Sequence, residues 1–277
     1  MNIGIDIRGL NIKNLTGVGN YILSAVQNIL KQDKVNTYYL FNSGLKNKIN
    51  IDQTNIIHLS LPNKLINLGL SLQIGPDIFK KINVPLDLFW LPNINFYRFD
   101  KSIPTVLTIH DLSWLHRPAF YSFKRKIWHR AVNIQRLIQK SSKIIAVSEN
   151  TKRDIIRFFN TDPDKISVIY PGLDAGDINQ EAASQFIRPF ALPEKYFIYV
   201  GTLEPRKNIE SVIAAFDRYH QDYPDIALVI VGSRGWLYKK LIKDFQKRDY
   251  IYYLGYVDKI TRDAMYFMSQ GLIWPSF

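Results

Sequence analysis

The chain has 277 residues, 47% of them hydrophobic, which is enough for one large or two ordinary globular domains with buried cores. Lys and Arg number 36 against 24 Asp and Glu, and the formal net charge of +12 predicts an anionic partner: a phosphate ligand, an acidic lipid surface or a nucleic acid. The absence of cysteine excludes disulfides and thiolate metal sites.

Neither a signal peptide nor a membrane span is predicted. The first ten residues carry Asp6 and Arg8 where a signal peptide would have its apolar core, and a basic leader is missing, so we interpret this segment as mature protein. The apolar stretch 65–79 is interrupted by polar residues and a proline, and it falls short of the roughly 20 apolar residues that a membrane span requires.

Short runs rich in Ile and Val alternate with longer amphipathic stretches, a pattern typical of strands and helices in a parallel α/β sheet. In the first half, the predicted strands are residues 3–7, 37–41, 56–59, 86–90, 105–109, 143–147 and 167–169. The predicted helices there are residues 18–31, 123–141 and 151–159. In the second half, the predicted strands are residues 196–200, 227–231, 251–254 and 272–274. The predicted helices there are residues 209–220, 236–248 and 260–269.

The segment 171–193 mixes glycine, proline and polar residues without periodicity and is interpreted as an interdomain linker. We therefore predict a first domain at 1–170 and a second at 194–277. A doubly wound domain usually has five or six strands, so the second domain is expected to be incomplete.

The strongest local motif is Gly201-Thr-Leu-Glu-Pro-Arg206-Lys207-Asn208, between a predicted strand and a predicted helix. Backbone N–H groups and the helix dipole favour an anion at such a junction, and two adjacent cations add charge-assisted hydrogen bonds. The motif predicts a diphosphate site, although a solvated Arg-Lys pair at a turn is the alternative reading.

A second motif, Thr16-Gly17-Val-Gly19-Asn-Tyr21, follows the first predicted strand. Its glycines would let the backbone approach a ligand, but Ile22 stands where a dinucleotide fingerprint has its third glycine, which argues against a nicotinamide cofactor. The alternative is a plain loop with Thr16 near a helix cap.

His110 follows the predicted strand 105–109 directly. Carboxyl ends of parallel strands face the ligand crevice, so His110 can hydrogen-bond a sugar hydroxyl or assist proton movement, unless it is only a structural hydrogen-bonding residue. In Ser148-Glu-Asn-Thr151, Thr151 with Asp154 resembles a helix-capping arrangement, and a ligand contact from Ser148 is the lesser option.

Residues 112–148 contain eight Lys or Arg and no acidic residue. The helix predicted within them, in the range 120–143, can lie on an anionic membrane surface, each nearby cation contributing on the order of 1 kcal/mol. An ordinary core-packed helix with a solvated basic face is the other reading. No recognised nucleic-acid-binding module accompanies the charge, so we expect no nucleic acid partner.

Taken together, these segments resemble family 4 glycosyltransferases nearly end to end, particularly the branch of mannosyl- and rhamnosyltransferases of surface polysaccharide assembly. The remaining motifs that carry the resemblance are Ile3-Gly-Ile-Asp-Ile-Arg8, Thr108-Ile-His-Asp-Leu112, Ala146-Val-Ser-Glu-Asn-Thr151, Val168-Ile-Tyr-Pro-Gly172, Ile230-Val-Gly232 and Leu254-Gly-Tyr-Val257. The motif that ends at Asn208 is the most specific.

The resemblance implies the GT-B architecture: two Rossmann-like domains with parallel sheets facing a cleft, and a nucleotide diphosphate sugar bound mainly by the second domain. The implied catalytic residues are His110 near the transferred sugar, and Arg206 and Lys207 at the diphosphate. The implied donor-binding residues are Gly17, Gly19, Gly201, Thr202, Arg206, Lys207, Gly232, Tyr256 and Val257. The resemblance is to front-face retaining transferases that need no metal, and the sequence has no compact carboxylate or histidine cluster, so no metal and no cofactor are expected.

Two departures from the family pattern affect these expectations. Thr202 stands where some relatives have an arginine, so one phosphate contact is expected to be absent or supplied by Arg206. Trp274-Pro-Ser-Phe277 resembles the strand that leads into the family's Glu-Gly-Phe-Gly loop and glutamate pair, so we expect a C-terminally truncated second domain.

The expected function is transfer of a hexose, with mannose from GDP-mannose as one candidate, to a glycan or lipid-linked acceptor in surface polysaccharide synthesis. A cytoplasmic location is expected, with peripheral attachment to the cytoplasmic face of the membrane as an option. The alternatives are a truncated, non-catalytic membrane-associated or partner-completed component, and a sugar-nucleotide epimerase with the same fold.

Overall fold

A computed structural model of the chain describes residues 1–11, 15–45, 49, 51, 55–71, 84–100, 102–173, 178–235 and 238–276. Parts of three sequence-based predictions lie outside the described residues: positions 72–79 of the apolar stretch, 174–177 of the linker and 236–237 of a helix. The chain divides into two compact units, Met1–Gly172 and Leu173–Phe277.

The first unit is built on a parallel sheet with the strand order β3-β2-β1-β4-β5-β6-β7. Its strands are β1 (Asn2–Asp6), β2 (Thr37–Ser43), β3 (Asn55–Leu59), β4 (Leu88–Leu91), β5 (Thr105–Ile109), β6 (Lys143–Ala146) and β7 (Ile166–Val168). Its helices are α1 (Gly17–Gln32), α2 (Asn63–Ser71), α3 (Ser113–His116), α4 (Phe123–Val132), α5 (Ile134–Lys140) and α6 (Glu149–Phe159). The α/β pattern predicted for this half is confirmed.

The sheet of the first unit has an apolar cluster on each face. On one face, Ile22 and Val26 of α1 are buried against Ile5 and Leu40, and their spacing of four residues places both on the same side of the helix. Burying such aliphatic side chains contributes about 1.5–3 kcal/mol each. The other face packs against α2, α4, α5 and α6. Both clusters hold the strands so that their carboxyl ends share one edge.

The single helix predicted over 123–141 is wrong, because Asn133 separates α4 from α5. The backbone of Asn133 is left-handed, with φ of 52°, which asparagine tolerates better than most residues. Its side chain accepts a hydrogen bond from Arg136 N at 3.1 Å and so caps α5. One asparagine therefore ends the first helix and starts the second.

The second unit is built on a parallel sheet with the order β10-β9-β8-β11. Its strands are β8 (Tyr196–Val200), β9 (Ala227–Val231), β10 (Ile251–Gly255) and β11 (Gly271–Leu272). Its helices are α7 (Gln180–Ile187), α8 (Ile209–Asp222), α9 (Tyr238–Phe245) and α10 (Lys259–Met268). All five residues of β9 are buried, as expected for a central parallel strand covered on both faces.

Helix α7 was not predicted and lies within the segment 171–193 that was interpreted as a linker. It packs against α10, and its last residue, Ile187, lies against the apolar cluster of the second sheet. Ala183, Phe186 and Ile187 have a helical apolar spacing, but the helix has only eight residues in a stretch rich in polar residues, so the pattern is too short to recognise. Among the described helices, none is long and apolar enough to traverse a bilayer.

Candidate functional site

The carboxyl ends of β8, β9 and β10 are joined by main-chain hydrogen bonds between glycines and their neighbours. Gly201 N donates to Val231 O at 2.8 Å, and Gly232 N donates to Gly255 O at 2.7 Å. The Tyr253 hydroxyl donates to Gly232 O at 3.1 Å. Glycines stand at positions 201, 232 and 255 of this edge, so no side chain at these positions keeps a ligand from the backbone.

Gly232 is required by its backbone conformation and by its neighbour. Its φ is +149°, and a β-carbon there would lie 1.9 Å from the carbonyl oxygen of Gly201. Any other residue would force β8 and β9 apart at this point. The close approach explains physically why the sequence has a glycine directly after β9.

The predicted strand, turn and helix around 201–208 are confirmed. After β8, the chain forms a single 3₁₀ turn, Pro205–Lys207, before α8 begins. The side chain of Asn208 does not cap α8; its oxygen accepts instead from the Ser211 hydroxyl at 2.7 Å. The first turn of this 14-residue helix thus lacks a side-chain cap, which leaves a place where an anion can bind.

Arg206 is paired with a carboxylate that was not recognised in the sequence. Its Nε contacts Oε1 of Glu204, and the Glu204 side chain is only 3% exposed. A buried carboxylate needs a cationic or hydrogen-bonding partner, so Glu204 fixes the position of the Arg206 side chain. The sequence signal for this pair is an acidic residue two positions before the arginine, in the same predicted turn.

Lys207 contacts an aromatic ring. Its Nζ lies 4.2 Å from the centroid of the Trp274 ring, which stacks in turn on Tyr199 with a centroid distance of 6.4 Å. Burial raises the pKa of the Tyr199 hydroxyl, and the Glu204 carboxylate raises it further. Tyr199 therefore stays neutral at physiological pH and serves as an apolar support beneath Trp274.

The other residues predicted at this edge lie at the ends of the strands. Thr202 follows Gly201 and is half-buried, Tyr256 follows β10 and is 49% exposed, and Val257 packs partly against the core. The structure thus brings together Gly201, Thr202, Arg206, Lys207 and Gly232 in the second unit. Their binding roles stay predictions.

In the first unit, Gly17 and Gly19 begin helix α1. Thr16 caps this helix by accepting a hydrogen bond from Gly19 N at 3.3 Å, as the structural reading of this motif proposed. Gly17 is exposed, and a β-carbon there would meet nothing within 4 Å. Gly19 is buried, and a β-carbon there would lie 3.0 Å from the Leu15 side chain. Packing therefore constrains Gly19 but leaves the space at Gly17 open.

His110 lies at the carboxyl end of β5 and contacts α1. Its Nε2 is 2.9 Å from Pro92 O, and its ring meets the Tyr21 ring edge-on at a centroid distance of 4.7 Å. Burial lowers the pKa of His110, opposed by the Pro92 hydrogen bond and by Asp111, so the neutral form predominates at pH 7. His110 thus packs against the helix that Gly17 and Gly19 begin.

The predicted cap of α6 is wrong in detail. Ser148, not Thr151, is the N-cap, and its hydroxyl oxygen accepts from Thr151 N at 3.1 Å. Thr151 lies inside the first turn, and its hydroxyl donates to the backbone oxygen of His110 at 3.1 Å. The prediction placed the cap on Thr151 with Asp154, three residues too far along the chain, and the hydrogen bond to His110 was missed because its partners are 41 positions apart.

Within the described part of the chain, no group of three or more His, Asp or Glu side chains is arranged to hold a metal ion. The two sets of residues at 201–232 and 16–110 belong to different units, and each is described by itself.

Two family models match consecutive parts of the chain. The Glycosyltransferase Family 4 model matches residues 38–177, and the Glycosyl transferases group 1 model matches residues 180–277. Among curated proteins, O-antigen chain mannosyltransferase B of Escherichia coli is 27% identical over 66% of this chain and 50% of the relative. O-antigen chain mannosyltransferase RfbU of Salmonella typhimurium is 27% identical over 61% of this chain and 45% of the relative. The chain spans about half the length of these relatives.

Solved structures share the fold over nearly the whole chain. HepE of Anabaena in complex with UDP and glucose gives a TM-score of 0.65 at 15% identity, covering 99% of this chain and 74% of that one. Sucrose-phosphate synthase of Thermosynechococcus elongatus gives a TM-score of 0.70 at 15% identity, covering 100% of this chain and 75% of that one. These similarities confirm the predicted α/β fold of the GT-B class.

Proposed function

The chain belongs to the family 4, group 1 glycosyltransferases, and from this premise we propose that it transfers a hexose from a nucleotide diphosphate sugar to a glycan or lipid-linked acceptor. The observation that carries the proposal is the junction of β8 and α8, where two cations stand beside an uncapped helix start. The names of the relatives, two of them O-antigen mannosyltransferases, support surface polysaccharide synthesis and make mannose the first sugar to test.

In this proposal, Arg206 and Lys207 bind the donor diphosphate and stabilise the negative charge that develops on the leaving nucleotide. Such prearranged charge is usually the largest contribution to catalysis of this kind.

The backbone of Gly201, Thr202 and Gly232 lets the nucleotide approach closely. His110 contacts the transferred sugar, with Gly17 and Gly19 at the start of helix α1. Tyr256 and Val257 border the nucleoside.

We propose further that the reaction retains the configuration of the sugar and needs neither a metal ion nor a cofactor. Two side-chain cations and the start of α8 supply the positive charge that a divalent metal would otherwise bring to a diphosphate. Nucleotide binding measured with and without EDTA tests the metal independence directly, and a fall in affinity on chelation would overturn that part of the proposal.

The central experiment is calorimetric titration with GDP, UDP and ADP, followed by the corresponding mannose and glucose nucleotides. The Lys207→Ala variant should lose about 1.5–3 kcal/mol of binding free energy, because it removes a charge-assisted hydrogen bond to a phosphate. The matched control is Lys247→Ala. Lys247 is 71% exposed and follows α9, at the sheet edge where β10 begins. Equal affinity in Lys207→Ala and the parent would refute the proposed site.

A membrane surface is the second partner that we propose, through helix α4. Phe123 and Ile127 are 77% and 52% exposed and lie one turn apart, so they form an apolar strip on the outside of the helix. The same helix carries four exposed basic residues: Lys124, Arg125, Lys126 and Arg130. An exposed apolar strip flanked by cations is the pattern of a helix that lies on anionic lipid.

Vesicle flotation tests this surface. The protein should float with vesicles of phosphatidylcholine and phosphatidylglycerol but not with vesicles of phosphatidylcholine alone. The double variant Phe123→Ser and Ile127→Ser should no longer float with the anionic vesicles. Phe186→Ser, which changes a side chain 41% exposed on α7, is the control and should bind like the parent. Equal flotation with neutral and anionic vesicles would refute the proposal.

A further inference from the structure

The imidazole and backbone of His110 are contacted by residues from three other parts of the first unit. Pro92 lies in the loop after β4, Tyr21 in the first turns of α1 and Thr151 in the first turn of α6. Tyr21 ends one sequence motif and Thr151 ends another. The function proposed above gives neither side chain a role.

Pro92 determines which ring nitrogen of His110 carries the proton. A carbonyl oxygen only accepts hydrogen bonds, so the contact of 2.9 Å requires a proton on Nε2. In the neutral ring, the other nitrogen then holds a lone pair. Nδ1 has no hydrogen-bond partner among the described residues, and it is not fully buried. It is therefore open to a ligand.

Tyr21 restricts rotation of this ring. The two rings are nearly perpendicular, with an interplanar angle of 85°, so the edge of one abuts the face of the other. The Tyr21 hydroxyl interacts with the side chain of Thr108. Thr108 in turn accepts a buried hydrogen bond from Trp90 Nε1 at 2.9 Å. Tyr21 thus lies beside this buried pair of the sheet, and turning the imidazole over would require Tyr21 to move.

Thr151 holds the backbone of the same residue. Its side chain is buried, and its hydroxyl donates to His110 O at 3.1 Å. The Ser148 hydroxyl lies 3.0 Å from the Thr151 hydroxyl and completes a short polar chain at the start of α6. Together with the Pro92 contact, this fixes both the position of the backbone and the orientation of the ring.

We propose that Tyr21 and Thr151 are positioning residues for His110: they hold its imidazole as the Nε2–H tautomer, so that Nδ1 accepts a hydrogen bond from a hydroxyl group of the transferred sugar. This inference rests on the proposed function for the identity of the ligand. The positioning itself is a property of the first unit, and it can be measured without any ligand.

The test is nitrogen NMR of the protein labelled with ¹⁵N-histidine, with the His110 signals identified by their loss in His110→Gln. At pH 7, the parent should show a proton on Nε2 and none on Nδ1. Tyr21→Ala should give a mixture of both tautomers, whereas Tyr21→Phe, which keeps the ring, should restore the single form. A parent protein with the proton on Nδ1, or a Tyr21→Ala spectrum like that of the parent, would overturn the inference.

Thr151→Val provides a second, nearly isosteric variant in case Tyr21→Ala does not fold. It removes one hydroxyl and should shift the His110 signals, while Thr151→Ser should not. Thr161→Val is the matched control, because the Thr161 hydroxyl is buried and has no hydrogen-bond partner among the described residues. Shifts of equal size in Thr151→Val and Thr161→Val would count against the role of Thr151.

A binding measurement separates this inference from the proposed function. Tyr21→Ala should leave the affinity for GDP unchanged and should lower turnover of GDP-mannose about tenfold or more, because a misplaced group loses much of its contribution. If no nucleotide binds and the tautomer behaves as expected, the proposed function fails and the positioning stands. If nucleotide binding depends on Lys207 while Tyr21→Ala turns over GDP-mannose like the parent, the inference fails alone.

Discussion

The ammonium group of Lys207 lies 4.2 Å from the centre of the Trp274 ring, so residues 67 positions apart in sequence meet at the carboxyl edge of the second sheet. An aromatic face attracts a cation without cancelling its charge. Arg206, by contrast, contacts the buried Glu204 carboxylate, which holds its guanidinium in place. Neighbouring cations in one turn are therefore held in different ways.

The ring contact predicts a graded loss of nucleotide affinity at Trp274. Trp274→Leu removes the cation–π contact and should weaken binding of a nucleoside diphosphate by about 0.5–2 kcal/mol. Trp274→Phe retains a ring and should lose less. Both are measured by calorimetry beside Lys207→Ala. A leucine variant that binds as tightly as the parent would show that the ring does not support the lysine.

Glu204 predicts a stability effect that a surface glutamate does not share. Glu204→Gln leaves the Arg206 guanidinium without its carboxylate, so the free energy of unfolding should fall by about 1–3 kcal/mol. Glu194→Gln, at an exposed position before β8, should stay within about 0.5 kcal/mol of the parent. Urea unfolding of both variants makes the comparison, and equal midpoints would contradict the structural role given to Glu204.

Two glycine substitutions should separate backbone strain from ligand access. Gly232→Ala places a β-carbon against Gly201 O in a backbone that only glycine adopts readily, so it should destabilise the second unit by about 1–3 kcal/mol. Gly17→Ala meets no neighbour and lies in a helix, so stability should be unchanged or rise by up to about 1 kcal/mol.

The same pair tests the proposed role of Gly17. If its open space admits the donor, Gly17→Ala should weaken nucleotide-sugar binding while the melting temperature is maintained. Thermal unfolding and calorimetry on one preparation provide both numbers. Unchanged affinity together with unchanged stability would remove Gly17 from the donor site.

His129 predicts acid sensitivity of the first unit. Its ring stacks on Trp114 at a centroid distance of 4.5 Å, and burial, reinforced by the Arg125 guanidinium, lowers its pKa from 6.5 to about 4. The unfolded chain therefore binds a proton between pH 6.5 and 4 that the folded chain does not. The contribution of neutral His129 to the free energy of unfolding is fully present above pH 6.5. This free energy should fall by roughly 1–3 kcal/mol as the pH drops towards 4.

His129→Phe keeps the aromatic stacking and removes the titration. Its unfolding free energy should therefore vary less between pH 6.5 and 4 than that of the parent. Urea unfolding across this range gives the comparison, and parallel pH profiles for the two proteins would argue against the assignment to His129.

The strands were predictable because each is a short apolar run with a clear start and end. The predicted bounds 105–109, 196–200 and 227–231 agree with β5, β8 and β9. Strand–turn–helix order at 201–208 followed for the same reason. The break at Asn133 was not predicted, since the apolar spacing continues through it and only the left-handed backbone reveals it. Helix α7 was missed for a different reason, because its eight residues are too few to establish a helical period.

Within the candidate sites, the sequence indicated the residues that follow strands but not their partners. His110 and Lys207 were predicted as site residues from their position and chemistry, and their roles stay predictions. Glu204, Trp274 and Tyr21 were not assigned a role, because their contacts depend on tertiary packing between segments or on the direction in which a side chain points. A pattern of residue types along the chain contains neither kind of information.

The hydrogen bonds that link Gly201, Gly232 and their neighbours have one more consequence. Since the strand ends at this edge are joined through main-chain atoms, these hydrogen bonds do not depend on which side chains surround them. Neighbouring side chains, such as those of Thr202 and Tyr256, can therefore change without breaking them. In an enzyme of this architecture, preference for one nucleotide base or sugar over another can diverge among descendants through substitutions at such positions.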